Sequence, residues 1–124
     1  MRIFKSKWFS KFVRKEDIGD EKLYEAIQNA EAGKIDVDYG NNVIKQRIAR
    51  PHKGKSSGYR LIILYHRNDK AFFVYGFSKN ERDNINETET KEFKRLAKIT
   101  LSFSDDILET LLKKGVYTEV KHDD

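Results

Sequence analysis

Apolar and polar positions follow two rhythms along this chain, and the switches between them mark its elements. Ile3 and Phe4 open a short strand. Trp8, Phe9, Phe12 and Val13 then recur at helical spacing with cations between them, which predicts a first helix from Ser6 to Lys15. Gly19 breaks that rhythm, Asp20 is placed to cap, and Leu23, Tyr24, Ile27 and Ala30 form the stripe of a second helix ended by Gly33. The two helices read as a hairpin. Ile35 to Asn42 is polar and closes on the turn residues Gly40, Asn41 and Asn42, so a strand is expected only after them.

That strand, Val43 to Ala49, sends Ile44 and Ile48 to one face and Lys45 and Arg47 to the other, making one face core and one cationic. Arg50 to Gly58 carries the single proline, two glycines, Lys53, Lys55 and two serines, a basic loop suited to phosphate contact. Tyr59 to His66 and Lys70 to Ser78 are strand-like runs joined at Asn68 and Asp69, which accept the positive φ of a two-residue hairpin turn. Pairing Arg67 with Lys70 sets Ile62 opposite Tyr75 and Arg60 opposite Phe77, gathering Arg60, Tyr75 and Lys79 at one end. Both runs are apolar on both faces, as expected of central strands covered by helices on one side and partly buried on the other.

Asn86 to Glu89 has the spacing of a capping box and opens a helix through Phe93, Leu96, Ala97 and Leu101. Ser104 or Asp105 caps a last helix, with stripe Ile107, Leu108, Leu111 and Leu112, that Gly115 ends. Val116, Tyr117 and Val120 suit a short edge strand. The order predicts an α+β fold, a small antiparallel sheet of about four strands packed against helices, in one domain over residues 1–124 with 104–124 as a C-terminal extension.

Composition narrows the function classes. With 36% charged and 38% hydrophobic residues the chain reads as folded with a heavily charged surface. The absence of cysteine excludes a disulfide framework, a thiolate zinc site and a cysteine nucleophile. No apolar run suits a signal peptide or membrane span, so a cytoplasmic location away from membranes is expected. Net charge is +5, and Val43 to Arg82 holds ten basic residues against two acids, leaving the remainder net negative. Such asymmetry leaves one face suited to a polyanion.

Lys45, Arg47, Arg60, Lys79 and Arg82 come from separate segments to one end of the sheet, where they can hold a phosphodiester and stabilise the added charge of five-coordinate phosphorus. The plainer reading is a solvated strand face. Glu81 is the one acid expected at this end, as a base or as a structural ion pair. Of the histidines, His66 and His122 lie away from the cluster and only His52, in the basic loop, can approach it. The segment Gly54 to Gly58 lacks the spacing and the following helix of a nucleotide-binding loop, and no residue set has metal-ligand spacing.

The run KSSGYRLIILYHRNDKAFFVYGFSKNERDNI, Lys55 to Ile85, resembles the RelE superfamily of bacterial toxins, and is most similar to its HigB-like branch with a lengthened C-terminus. The basic strand Lys45 to Arg47, the Gly58-Tyr59-Arg60 opening and the Gly76 to Arg82 segment carry the resemblance. It implies a RelE-like fold and a ribosome-dependent endoribonuclease that cuts mRNA without cofactor or metal, by attack of a ribose 2′-hydroxyl giving a 2′,3′-cyclic phosphate. It also implies a cognate antitoxin partner. On this reading Lys45 or Lys79 is a base or charge stabiliser, Arg47 and Arg60 hold the phosphate, and Glu81 joins the catalytic set. Arg50, Lys53, Lys55, Tyr75 and Arg82 contact RNA. The sequence departs from the best-described branch at Asn80, where an arginine is usual, and at Asn86, near a stacking tyrosine. Two other readings share the fold or the charge: a ParE-like inhibitor of DNA gyrase, disfavoured because Lys45, Arg47, Arg60 and Lys79 are present, and a non-catalytic RNA- or ribosome-binding module.

Overall fold

The computed structural model describes residues 1–50 and 58–122. Its order is β1 (Arg2–Ser6), α1 (Lys7–Glu16), α2 (Asp20–Glu31), β2 (Val37–Gly40), β3 (Val43–Ile48), β4 (Tyr59–His66), β5 (Lys70–Ser78), α3 (Glu87–Thr100), α4 (Asp105–Lys113) and β6 (Tyr117–Glu119). Six strands form one sheet in the order β2-β3-β4-β5-β1-β6, so the fold is α+β with a wider sheet than the sequence predicts. β1 runs parallel to β5, with Phe4 beside Phe72, and β6 closes the other side of β1 in antiparallel pairing. The remaining pairs are antiparallel.

Local chemistry sets most boundaries. Ser6 caps α1 by accepting the Phe9 N–H, Ser104 caps α4 by accepting that of Ile107, and Asn86 and Glu89 close a complete capping box on α3. Asp20 is not a cap: Gly19 takes that position, and the Asp20 carboxylate instead receives Lys5 Nζ at 3.0 Å. The stretch expected to be a polar connection contains strand β2, whose turn to β3 uses Asn41 and Asn42 at φ 52° and 65°. Such a pair of left-handed residues is what a tight hairpin demands.

Helices cover both faces, where the apolar runs suggested one. Ile3, Leu61, Ile63 and Phe73 pack beneath α1 and α2 with Phe9, Leu23 and Ile27, while Phe4, Ile62, Leu64 and Phe72 pack beneath α3 and α4 with Ala97 and Leu108. A doubly covered sheet needs both side-chain rows apolar, which is why β4 reads as a continuous hydrophobic run. Leu96 and Ile107, assigned to buried stripes by spacing, are instead 37% and 46% exposed, since Ala97, Thr100 and Leu108 face the sheet.

The β4–β5 hairpin matches expectation at the site end and departs at the turn. Arg60 pairs with Phe77 and Ile62 with Tyr75, but His66 rather than Arg67 pairs with Lys70, making a three-residue loop. A bulge between Ile62 and Ile63 absorbs the difference by giving β5 one extra residue. Only Asn68 of the loop has positive φ, at 63°, and its N–H donates to Glu31, which also accepts the Tyr65 hydroxyl. Those bonds tie the turn to the end of α2.

Candidate functional site

Residues on one face of β3, β4 and β5 are set by register. Arg47, Arg60 and Phe77 form one cross-strand row, and Lys45, Ile62 and Tyr75 form the next. Lys45 and Arg60 are 8% and 5% exposed, unusually buried for cations, whereas Arg47 stands half out of the surface. Directly opposed like charges destabilise an antiparallel pair, so the facing arginines are a local cost the fold carries rather than a contribution to it.

A carboxylate that the sequence reading did not find offsets part of that cost. Asp36, just ahead of β2, accepts from Arg47 Nε at 2.9 Å and lies 4.0 Å from Lys45 Nζ. It arrives because β2 pairs with β3, and β2 was the strand the polar pattern hid. Its backbone is fixed by buried Gln46, whose Oε1 accepts the Asp36 N–H at 2.8 Å while Nε2 donates to Ala26 and Lys34 carbonyls. Burial pushes the Lys45 ammonium below its ordinary pKa, against the pull of Asp36 and together with repulsion from Arg60 and Arg47. Burial likewise lowers that of Arg60, helped by Arg47 and opposed by Asp36. Arg60 also donates from Nη1 to the Gly58 carbonyl at 3.3 Å.

The other expected residues are spread around this triad. Arg82 does not join it. Its guanidinium makes a bidentate pair with Glu89 at 2.6 and 3.1 Å, donates to the Tyr75 hydroxyl and the Asn84 carbonyl, and lies over the rings of Phe77 and Tyr75. Arg82 therefore anchors the start of α3, a role spacing alone did not distinguish from phosphate binding. Lys79 is exposed, and its N–H donates to Gly58 O at 3.3 Å, keeping the segment after β5 beside the start of β4. Glu81 is exposed and accepts from Ser78 Oγ at 3.2 Å. It is not the lone acid of this end, because Asp36 and Glu89 stand there too.

Arg50 lies over the Tyr59 ring at 5.4 Å. Lys53, Lys55, His52 and the segment Gly54 to Ser57 fall outside the described residues. His66, at the far end of β4, lies 3.1 Å from Asp69, and His122 stacks on Tyr24, so neither reaches the triad. Among the described residues no cluster of His, Asp or Glu is arranged to hold a metal ion.

Tyr75, considered as a surface for a stacked base, is half-buried among Trp8, Phe77 and Phe93. The exposed aromatic is Trp8, 47% accessible, stacked on Phe12 at 5.4 Å and tilted on Tyr75 at 4.8 Å. Helical spacing assigned Trp8 to the core, and the α1 axis turns it to the rim. The same helix exposes Lys7, Lys11, Arg14 and Lys15, which share one side of the helix at 100° per residue. Among the described residues no carboxylate lies within ion-pair distance of these four cations.

Hydrogen bonds from Arg82 and the Asn86 N–H hold the Glu89 carboxyl below the usual carboxylate range. A depressed folded pKa means the stabilisation is complete above the unfolded value of about 4.3 and disappears as pH falls through the folded one. Thermal unfolding followed from neutral to acid pH is expected to show a shallower acid loss in Glu89→Gln than in wild type. Identical slopes would show that the pair contributes nothing.

No helix among the described residues is long and apolar enough to cross a membrane. No curated protein matches the chain significantly. The family model described as the RelE toxin of the RelE/RelB toxin–antitoxin system matches residues 1–120, spanning the whole sheet and every residue of the cationic row, and the chain belongs to that toxin family.

Proposed function

We propose that this toxin is a ribosome-dependent mRNA endoribonuclease of the HigB-like branch, acting in the cytoplasm. The observation that carries the reading is the cluster of Lys45, Arg47 and Arg60 on adjacent cross-strand rows of one sheet face, two of them buried and the two arginines facing each other at like-charge cost. Strained electrostatics that the fold does not need are the mark of a site waiting for an anion. Membership of the family implies an antitoxin partner.

In the proposed reaction a ribose 2′-oxygen attacks the adjacent phosphorus and gives up its proton to a base, and the bond from phosphorus to the 5′-oxygen breaks. The leaving oxygen takes up a proton, so the products are a 2′,3′-cyclic phosphate and a 5′-hydroxyl. Arg47 and Arg60 neutralise the charge developing on the non-bridging oxygens. Lys45, whose pKa burial lowers, is suited to accept the proton or to steady the charge, with Lys79 the other candidate. Glu81 is a further candidate in proton transfer. Arg50, Lys53 and Lys55 would hold the RNA backbone, and Trp8 with the cationic side of α1 extends the positive field toward folded RNA.

Purified chain is expected to cut mRNA in a programmed ribosome and to leave the same mRNA intact in free solution, with Lys79→Ala lowering the rate by about tenfold or more. Cleavage of free RNA at equal rate would contradict ribosome dependence. Ribosome binding without any cut would favour a non-catalytic module, and arrest through gyrase would favour the other branch of the fold.

A further inference from the structure

Asp36 has no part in the chemistry just described, yet it is held in place from both its backbone and its carboxylate. Gln46 holds its backbone from one side and roots it in α2 and in the residue 34 carbonyl, so the carboxylate cannot drift from the β3 edge. One oxygen takes Arg47 Nε. The other, Oδ2, is buried with no hydrogen-bond partner among the described residues and faces Lys45 Nζ across 4.0 Å. A buried carboxylate oxygen with no hydrogen bond and only a long ion pair is costly, and such a cost persists where the surroundings over-determine it.

We propose that Asp36 is a positioning residue of the cleavage site: by binding Arg47 through Nε it fixes the plane of that guanidinium, and by facing Lys45 it keeps the buried ammonium aligned with the same phosphate. This rests on the ribonuclease reading. Nε is the inner nitrogen of the guanidinium, so an acceptor there leaves the outer edge, on a side chain 48% exposed, directed at a ligand. With Lys45 and Arg47 sharing the one Asp36 carboxylate, that pair keeps an excess of positive charge for the phosphodiester. Without the carboxylate, the attraction that opposes the repulsion of Lys45 by Arg47 and Arg60 is lost. The charged groups that act on Lys45 are Asp36 ahead of β2, Arg47 on β3 and Arg60 on β4. Asp36 is the acid among them, so its loss moves Lys45 in one direction only: the ammonium becomes easier to deprotonate.

The test is Asp36→Asn, which keeps an oxygen for Arg47 Nε and removes the charge, beside Asp36→Ala. Two readouts are needed. The first is the NMR titration of the Lys45 side chain without substrate, its signal identified by loss in Lys45→Met. The midpoint is expected to fall by about half a unit or more in Asp36→Asn. The second is single-turnover cleavage of ribosome-bound mRNA against pH, expected to fall by about tenfold in Asp36→Asn near neutrality, with the Lys45-dependent limb moved to lower pH. A midpoint and a rate both unchanged would overturn the proposal. So would a slower reaction with an unmoved midpoint, because that is the signature of a purely structural loss. A wild-type chain that cleaves nothing would sink the ribonuclease reading, and the Lys45 midpoint, read without substrate, would then decide the role of Asp36 alone.

Discussion

Arg60→Ala is expected to lower single-turnover cleavage by about 10²–10³-fold, the range for loss of one preorganised donor at a developing charge. The side chain leaves β4 at its second residue, is 5% exposed, and lies opposite Arg47. Its charge is secure despite burial, because a guanidinium stays protonated well beyond neutral pH. Removing it has opposed effects on folding. The packing of its aliphatic stem and its hydrogen bond to the Gly58 carbonyl are lost, while the repulsion by Arg47 and Lys45 is relieved. The net change in stability should be within about 1 kcal/mol, so urea unfolding will separate a catalytic loss from a folding one. Arg60→Lys keeps the charge and loses the fork, and should recover only part of the rate. Full activity in Arg60→Ala would remove Arg60 from the site.

Gly58→Ala is expected to be the most destabilising alanine substitution among the described glycines, by about 3 kcal/mol or more. An added Cβ would stand 2.0 Å from the Ile48 carbonyl oxygen, a backbone atom of the neighbouring strand that no side-chain rotation can move aside. Relief requires β3 and β4 to part where Ile48 pairs with Tyr59 and Arg47 with Arg60. The Gly58 carbonyl also receives Arg60 Nη1 and the Lys79 N–H, so the same shift would disturb two of the proposed site residues. Gly33→Ala is the control. Nothing lies within 4 Å of its added Cβ, and with φ at +83° the cost is backbone strain alone, about 1 kcal/mol. Chemical denaturation of the two variants should separate them clearly. Equal, small losses would mean that the close approach at Gly58 is relieved at little cost.

What the sequence made legible was much of what rests on local chemistry. Asn86 and Ser104 cap where their side chains can reach a helical N–H within the same turn, whereas the cap expected at Asp20 falls to Gly19 and the Ser6 cap was not anticipated. The hairpin register at the site end is set by alternation and was legible too, although through compensating departures: a three-residue loop and a bulge together restore the offset that a two-residue turn would give. Residues brought in by non-local pairing were not legible. Asp36 depends on a short edge strand whose Val37-Asp38-Tyr39-Gly40 composition looks like a loop, and whose stability comes from β3 rather than its own propensity. Glu89 was visible as a capping residue, but its second partner, Arg82, is found only once the chain has turned back from β5. Trp8 shows the converse limit: helical periodicity places an aromatic on a face, and only the packed neighbours decide whether that face is covered.

The electrostatics divide the candidate residues by the same logic. Lys45 and Arg47 share the Asp36 carboxylate, leaving that pair with an excess of positive charge, whereas Arg82 is matched by Glu89 and stacked on two rings. A matched, stacked guanidinium holds structure, whereas an excess of positive charge on a strand face is what the proposed phosphate contact requires.

Mapping mRNA 5′ ends after induced expression of the wild-type chain and of Arg60→Ala tests the central claim most directly. The account predicts new ends inside translated codons in wild type, bearing 5′-hydroxyls, with growth arrest, and neither ends nor arrest in Arg60→Ala at equal protein level. Growth arrest with intact mRNA in wild type would contradict it.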